Sequence, residues 1–347
     1  MNQSRPKPKR RYERYELDRS PLAQKPTQRD LAQLVGLSRD DLRRLANYKE
    51  QFIVRREIKK GDKVRQLAYP EGLLRVVHEK LKFHLNKVRQ PDYLFSPRKN
   101  RGQRDNAELH LDQQQYLTLD LKQFYPSTTQ SQVRNWLTSD LGMMEDVAGL
   151  FAEIACVDDV VSFGSPLTPV LCTLVHRNMF DKIASLCGDR RLRCSLWVDD
   201  LTISGQYVPG ELVEQIRLII QSYGHRSHKI KYLTGNRPVF ITGIGVVGKN
   251  LVAPQTLHLR IKEYWEQLHA AETDDEKLNV YQLLLSQLGT QRHIAGPSSD
   301  LGRKASDQMN SIRQKRDKLI RQQPNEAALK TVGAEFEETH DPSALPW

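Results

Sequence analysis

The chain has 347 residues, enough to bury a full core and to divide into two or three subdomains, which excludes a small stapled scaffold. Lys and Arg number 53 against 42 Asp and Glu, a formal charge of +11 that favours a polyanionic partner, nucleic acid first and an anionic membrane surface second. No apolar run approaches the roughly 18 residues a bilayer span requires, the first residues carry no apolar signal region, and Cys156, Cys172, Cys187 and Cys194 show no CxxC or metal-ligand spacing, so a reduced, cytoplasmic protein without membrane insertion is expected.

Residues 4–14, SRPKPKRRYER, combine proline with dense positive charge and no apolar period. They read either as a solvated tail or as an arm that follows a phosphate backbone, with Tyr12 and Tyr15 available to stack on bases. The pattern over 27–48 predicts two short helices, with Thr27 and Ser38 as N-caps ahead of Leu31, Leu34, Leu42 and Leu45. Residues 52–69 predict a β-hairpin turning at Gly61 and Asp62. Its Arg55, Arg56, Lys59, Lys60, Lys63 and Arg65 suit either a ligand or a solvated edge. A helix follows over 72–89, with Leu73, Val77, Leu81 and Leu85 on its core face.

The next strand, YLTLDLKQFY at 116–125, embeds Asp120 among apolar neighbours, which is costly unless the carboxylate is paired or liganded. Helices are predicted over 129–141, 143–156 and 166–187. The stretch LWVDDLTISG, 196–205, then places Asp199 and Asp200 between two strand-like flanks, at a hairpin tip. Both acids can converge there on a cation, or serve as ordinary turn residues that bond the local backbone. A helix over 210–223 and strands over 229–233 and 239–247 complete an α+β domain built on an antiparallel sheet with helices over one face. Beyond 255 the pattern becomes helical, polar and basic, and from 324 it loses its period.

Asp120, Asp199 and Asp200 form a set of hard oxygen ligands with no neighbouring His or Cys in sequence, which suits Mg²⁺ or Mn²⁺ rather than zinc. Two such ions, roughly 3.5–4 Å apart, clamp the attacking and leaving oxygens of a phosphoryl transfer, the chemistry of a polymerase.

The chain resembles a bacterial reverse transcriptase, and more narrowly a retron reverse transcriptase, over about residues 50–250. TLDLKQFYPS (118–127) resembles the first catalytic motif of the palm, GSPLTPVL (164–171) the motif beneath template and nucleotide, and WVDD (197–200) the YxDD box. KIKY and VFITGIGVV resemble the last palm and primer-grip strands, while NAELH (106–110) and ITG (241–243) resemble the NAxxH and VTG elements of retron enzymes. The resemblance implies a right-hand polymerase: a basic arm and small helical module at 1–49, fingers and palm at 50–250, a helical RNA-binding thumb at 251–323 and a flexible tail at 324–347.

It also implies roles. Asp120, Asp199 and Asp200 become the metal-binding catalytic triad, Tyr125 the wall against a ribose 2′-hydroxyl, Arg65 and Gly164 contacts to the incoming nucleotide, and Lys231, or alternatively Lys229, the proton donor to pyrophosphate. Asn106, His110, Thr242 and Gly243 become RNA contacts. The implied partners are deoxynucleotides, a cognate structured noncoding RNA primed from a 2′-hydroxyl, the branched RNA–DNA product (msDNA), and an effector or toxin protein in antiphage defence. Trp197 replaces the YxDD tyrosine, Phe163 stands where relatives carry glutamine, and Thr168 where serine is common. The competing expectations are another bacterial reverse transcriptase, of group II intron or defence type, and a non-polymerising scaffold for RNA or a toxin.

Overall fold

The computed structural model describes residues 14–60 and 63–322; the side chains of Lys60, Lys63 and Arg65 are also outside that description. The turn expected at Gly61 and Asp62, nearly all of the basic arm and the tail from 324 therefore lie outside the described residues. The chain divides into two compact units, Met1–Val252 and Ala253–Trp347.

The first unit opens with helices α1 (Gln28–Leu34) and α2 (Arg39–Asn47). Thr27 caps α1 in a reciprocal capping box with Asp30, and the Ser38 hydroxyl caps α2 by accepting from the Asp41 amide, which satisfies amides left over at each start. Leu31, Leu42 and Leu45 are buried. Strands β1 (Ile53–Lys60) and β2 (Lys63–Pro70) pair antiparallel from Ile53 opposite Pro70 to Lys60 opposite Lys63. Helix α3 (Gly72–Leu85) ends four residues earlier than expected, and buries Leu74, Val77, His78, Leu81 and Leu85.

Strand β3 (Leu94–Ser96), which the sequence pattern did not reveal, and helix α4 (Gln103–Glu108) precede β4 (Gln115–Leu121). Next come α5 (Gln130–Ser139), α6 (Glu145–Ala155) and the small β5 (Cys156–Val157) and β6 (Val160–Val161) hairpin. The single helix expected over 166–187 is two, α7 (Thr168–Val175) and α8 (Arg177–Gly188), broken where His176 leaves helical geometry at φ −102° and ψ 15°. Strands β7 (Arg193–Trp197) and β8 (Asp200–Gly205), helix α9 (Glu211–Ser222), and strands β9 (Ser227–Thr234), β10 (Val239–Ile241), β11 (Ile244–Val247) and β12 (Asn250–Val252) finish the unit.

Five strands form the central sheet in the order β3-β7-β8-β4-β9. Only β3 and β7 run parallel; the other pairs are antiparallel. Alternation along β4 turns Leu117, Leu119 and Leu121 into the core and leaves Thr118 and Asp120 half-buried on the other face. The second unit holds α10 (Gln255–Ala270), α11 (Asp274–Ala295) and α12 (Asp300–Gln322). Its acidic TDDE stretch is a helix start rather than a free turn: Thr273 and Glu276 form a capping box, and Asp274 and Asp275 sit where the helix dipole favours negative charge. The architecture is the mixed α+β one expected.

Candidate active site

Asp120 lies one residue before the end of β4, directly opposite Asp200, the first residue of β8. The β7–β8 hairpin turns through Val198 and Asp199, since Trp197 pairs with Asp200. The two adjacent acids therefore do not share the tip: Asp199 occupies it, and Asp200 already belongs to the strand. Val198 is held at φ +61°, a region a β-branched residue reaches only under strain, which is a feature that concentrates at functional sites.

Strand β9 brings the positive charge. Thr118 pairs with Lys231, but two residues later Asp120 pairs with His228, so Lys229 and Ile230 together face Leu119 in a β-bulge. Lys229 sits at φ +52° in that bulge. Its Nζ donates to Asp120 Oδ2 at 2.6 Å. His228 Nδ1 lies 3.1 Å from Asp120 Oδ1, yet its hydrogen-bond geometry is to the Asp120 backbone carbonyl at 3.3 Å, so buried Oδ1 has no hydrogen-bond partner among the described residues.

Burial pushes the Asp199 carboxyl up to about 6, with Asp200 and Asp120 adding repulsion. Asp200 is raised by burial and then by Asp120. Lys229 is raised, first by its bond to Asp120. Three carboxylates thus crowd one locus, offset among the described residues by Lys229 and His228. Among the described residues no group of three or more His, Cys, Asp or Glu side chains is arranged to hold a metal ion. The donor chemistry nevertheless fits a hard divalent cation: all-oxygen ligands, two carboxyls driven towards their neutral form, and one orphaned buried oxygen. Lys229 supplies to Asp120 the positive charge that a cation would otherwise bring.

In front of the acids lies a cavity of about 900 Å³ whose walls include Asp199, Asp200, Tyr125, Phe163, Lys122 and Lys229. Tyr125 is half-buried, its ring 5.9 Å from that of Phe163, and burial pushes its phenol well above its usual range. From β2, Val64 and Gln66 also reach this cavity. Arg65 sits between them, opposite Ile58, but its side chain lies outside the described residues.

Gly164 does not line the cavity. At φ +103°, with an added Cβ meeting Tyr69 Cβ at 3.1 Å, it lets the FGSP loop close on β2, and Ser162 fastens that loop by donating to the Ala68 carbonyl. Thr168 is buried and donates to the Ser162 carbonyl. Phe163, which stands where the resembled family carries glutamine, is the residue of this loop that faces the cavity.

Asn106 and His110 are 1% and 0% exposed, which corrects the expectation that they contact RNA directly. His110 clips the sheet from its back end: Nδ1 meets Ser204 Oγ at 2.6 Å and Nε2 meets Ser195 Oγ at 2.8 Å. Thr242 and Gly243 form the two-residue turn between β10 and β11, at φ +48° and +87°. The Thr242 hydroxyl is buried without a hydrogen-bond partner among the described residues. Thr242, Phe240, Lys231, Thr202, Asp120 and Asp200 are among the residues around a second cavity of about 170 Å³. Lys231 therefore stands near the acids without bonding them.

An acid-tipped antiparallel sheet beside a nucleotide-sized cavity is the arrangement expected of a polymerase palm. Comparison of the sequence with known proteins is more specific. No family model matches the chain. It is 28% identical over 122 residues to the retron Ec86 reverse transcriptase of Escherichia coli, covering 35% of this chain and 38% of that protein. It is 26% identical to the retron Se72 reverse transcriptase of Salmonella heidelberg over 156 residues (45% and 41%), and 26% identical to the retron Mx65 reverse transcriptase of Myxococcus xanthus over 223 residues (57% and 51%). The matches span about half or less of each relative. They support assigning the chain to the retron reverse transcriptase family. Among solved structures, a Candida albicans telomerase bound to a telomeric RNA fragment has a TM-score of 0.44 at 11% identity, covering 77% of this chain and 61% of that one. A foamy viral protease-reverse transcriptase with double-stranded DNA has a TM-score of 0.41 at 15% identity (70% and 38%). These likenesses are too distant to bear on function.

Proposed function

We propose that the chain is an RNA-directed DNA polymerase of the retron type, adding deoxynucleotides to a growing DNA with release of pyrophosphate. The observation that carries this reading is the pairing of Asp120 with Asp200, with Asp199 at the adjoining tip, on the wall of a cavity large enough for a nucleotide. A divalent cation, Mg²⁺ or Mn²⁺, held by Asp120, Asp199 and Asp200 would supply Lewis-acid activation of the attacking hydroxyl and charge neutralisation at the α-phosphate. The chain's own groups do the rest. Tyr125, backed by Phe163, walls the position of the sugar and disfavours a 2′-hydroxyl on the incoming nucleotide. The Lys229 ammonium, 2.6 Å from Asp120, is placed to stabilise charge or to yield a proton as the bond to pyrophosphate breaks. Lys231 is the more distant alternative.

On this reading the template is a cognate structured noncoding RNA, the primer is one of its 2′-hydroxyls, and the branched msDNA stays bound. The setting is cytoplasmic antiphage defence with an effector protein. Similarity to the retron enzymes supports this reading. Among the described residues no helix is long and apolar enough to cross a membrane.

The test is primer extension on an RNA template, with debranching analysis of the nucleic acid that co-purifies from cells carrying the native flanking DNA. Asp120→Asn, and the pair Asp199→Asn with Asp200→Asn, are expected to lose on the order of 10³-fold or more in incorporation. Co-purifying DNA should change size on debranching and be absent from these variants. If the variants extend primers like the wild type, the acids are not catalytic and an RNA-binding scaffold is the better description.

A further inference from the structure

A second charged surface lies on the first unit and shares no residue with the carboxylate cavities. The chain at Tyr15 runs parallel to the exit of α3, bridged to Val88. The Tyr15 amide donates to the Lys87 carbonyl (3.1 Å), the Arg89 amide donates to the Tyr15 carbonyl (2.8 Å), and the Tyr15 hydroxyl donates to the His84 carbonyl (2.8 Å). Neighbouring residues on extended chain point to opposite sides. With Val88 buried and Tyr15 half-buried, Arg14, Glu16, Lys87 and Arg89 are turned outward around a depression of about 360 Å³, and Arg19 completes its rim.

Four cations therefore face one acid. Glu16 pairs with Arg89 at 3.1 Å, but both side chains are exposed, and such a pair is worth little. Among the described residues neither Arg14 nor Arg19 has a carboxylate partner. The backbone amides of Tyr15 and Arg89 are already used in the bridge, so they cannot form the concave nest that grips one phosphate. What remains is a row of long cationic side chains on two paired segments, which suits a repeated charge read without regard to sequence.

We infer that this surface holds the sugar-phosphate backbone of single-stranded nucleic acid outside the polymerase cavity. The inference rests on the nucleic-acid ligand of the proposed function but not on catalysis. The test is equilibrium binding of fluorescein-labelled oligo(U) RNA by anisotropy, without nucleotides, over about 50–200 mM salt. Replacing three cations in the triple variant Arg14→Gln, Arg19→Gln, Lys87→Gln should weaken binding about 10-fold and make the slope of log K against log salt shallower by about 2, at about 0.7 per phosphate contact. Because the triple variant could fold poorly, Glu16→Gln is measured beside it. Freeing Arg89 should tighten binding and steepen the slope by about 0.7. If the wild type binds RNA and neither variant changes the slope, this surface is not the site and the polymerase reading stands. If the wild type binds no RNA, both fall. Equal displacement by polyglutamate of matched charge would also overturn the inference, in favour of an acidic protein partner.

Discussion

Two ends of one sheet face treat buried polar groups in opposite ways. Along β8, Asp200, Thr202 and Ser204 point to the same side. At the Ser204 end, His110 meets two serine hydroxyls, and burial keeps the ring neutral with its value pushed down to about 3. At the Asp200 end, three carboxyls face one another, two are driven up, and one buried oxygen of Asp120 has no hydrogen-bond partner among the described residues. The satisfied end holds strands together. The unsatisfied end is costly in the free protein, offset in part by Lys229, and on the proposed reading a bound cation would offset it further. What points to a ligand at the Asp200 end is the crowding of like charges together with the missing partner, not burial by itself.

Breaking the satisfied end should have the largest effect on stability. His110→Ala leaves two buried hydroxyls without their partner and opens a void, and should cost about 3 kcal/mol in denaturant unfolding. The same residue belongs to a set of buried histidines, with His78 at about 4, His176 at about 3 and His225 at about 4, all lowered chiefly by burial. The unfolded chain binds protons that these folded histidines refuse, so their contribution is whole above about pH 6.5 and is lost as pH falls towards 4. Asp199 acts in the opposite sense, because its raised carboxyl favours the folded state at low pH and loses that advantage as pH rises through about 6. Asp200 is raised too and acts in the same sense as Asp199, so four lowered histidines stand against two raised carboxyls and acid is destabilising on balance. His110→Ala should show a shallower fall of the urea midpoint between pH 6 and 4, and an unchanged slope would show that His110 does not titrate with unfolding.

The unsatisfied end is probed through Lys229. If the lysine both assists the reaction and stands in for a cation at Asp120, Lys229→Ala should lower incorporation by about 10- to 100-fold while tightening Mn²⁺ binding measured by electron paramagnetic resonance. Lys231→Ala should change incorporation by no more than about 3-fold, because Lys231 makes no bond to the acids. The reverse order of effects would return the proton-donor role to Lys231.

The different fates of Lys229 and Lys231 are not written in the local sequence. Lys229 and Lys231 have the same parity on an uninterrupted strand, and only the bulge opposite Leu119 separates their fates. A bulge depends on pairing with a strand over a hundred residues away, so local pattern does not announce it. The caps at Thr27 and Ser38 were legible because a cap is a local bond within three residues. The acids stood out because charge in an apolar strand is conspicuous. Their placement was off by one, since Val198 accepts a strained φ that its side chain argues against. Asn106 and His110 were misplaced because their spacing gives a shared helical face but not the side of the sheet that buries it. Strand β3 was missed for a related reason: three residues, paired in parallel with β7 from far along the chain, carry no period of their own.

The smallest expected effect lies in the β10–β11 turn, and it separates strain from use. Two-residue hairpin turns with both central residues at positive φ favour Asn and Gly, yet Thr242 stands at φ +48° with its hydroxyl buried and unpartnered among the described residues. Thr242→Asn should relieve the backbone and raise stability by about 1 kcal/mol, read from the urea midpoint. If the strain serves nothing, RNA affinity and incorporation will be unchanged in the stabilised protein. If the hydroxyl completes a contact to RNA at the cavity it shares with Asp120 and Asp200, affinity will fall as stability rises. A loss of both would mean instead that threonine packs the turn, and that neither strain nor missing partner marks a ligand there.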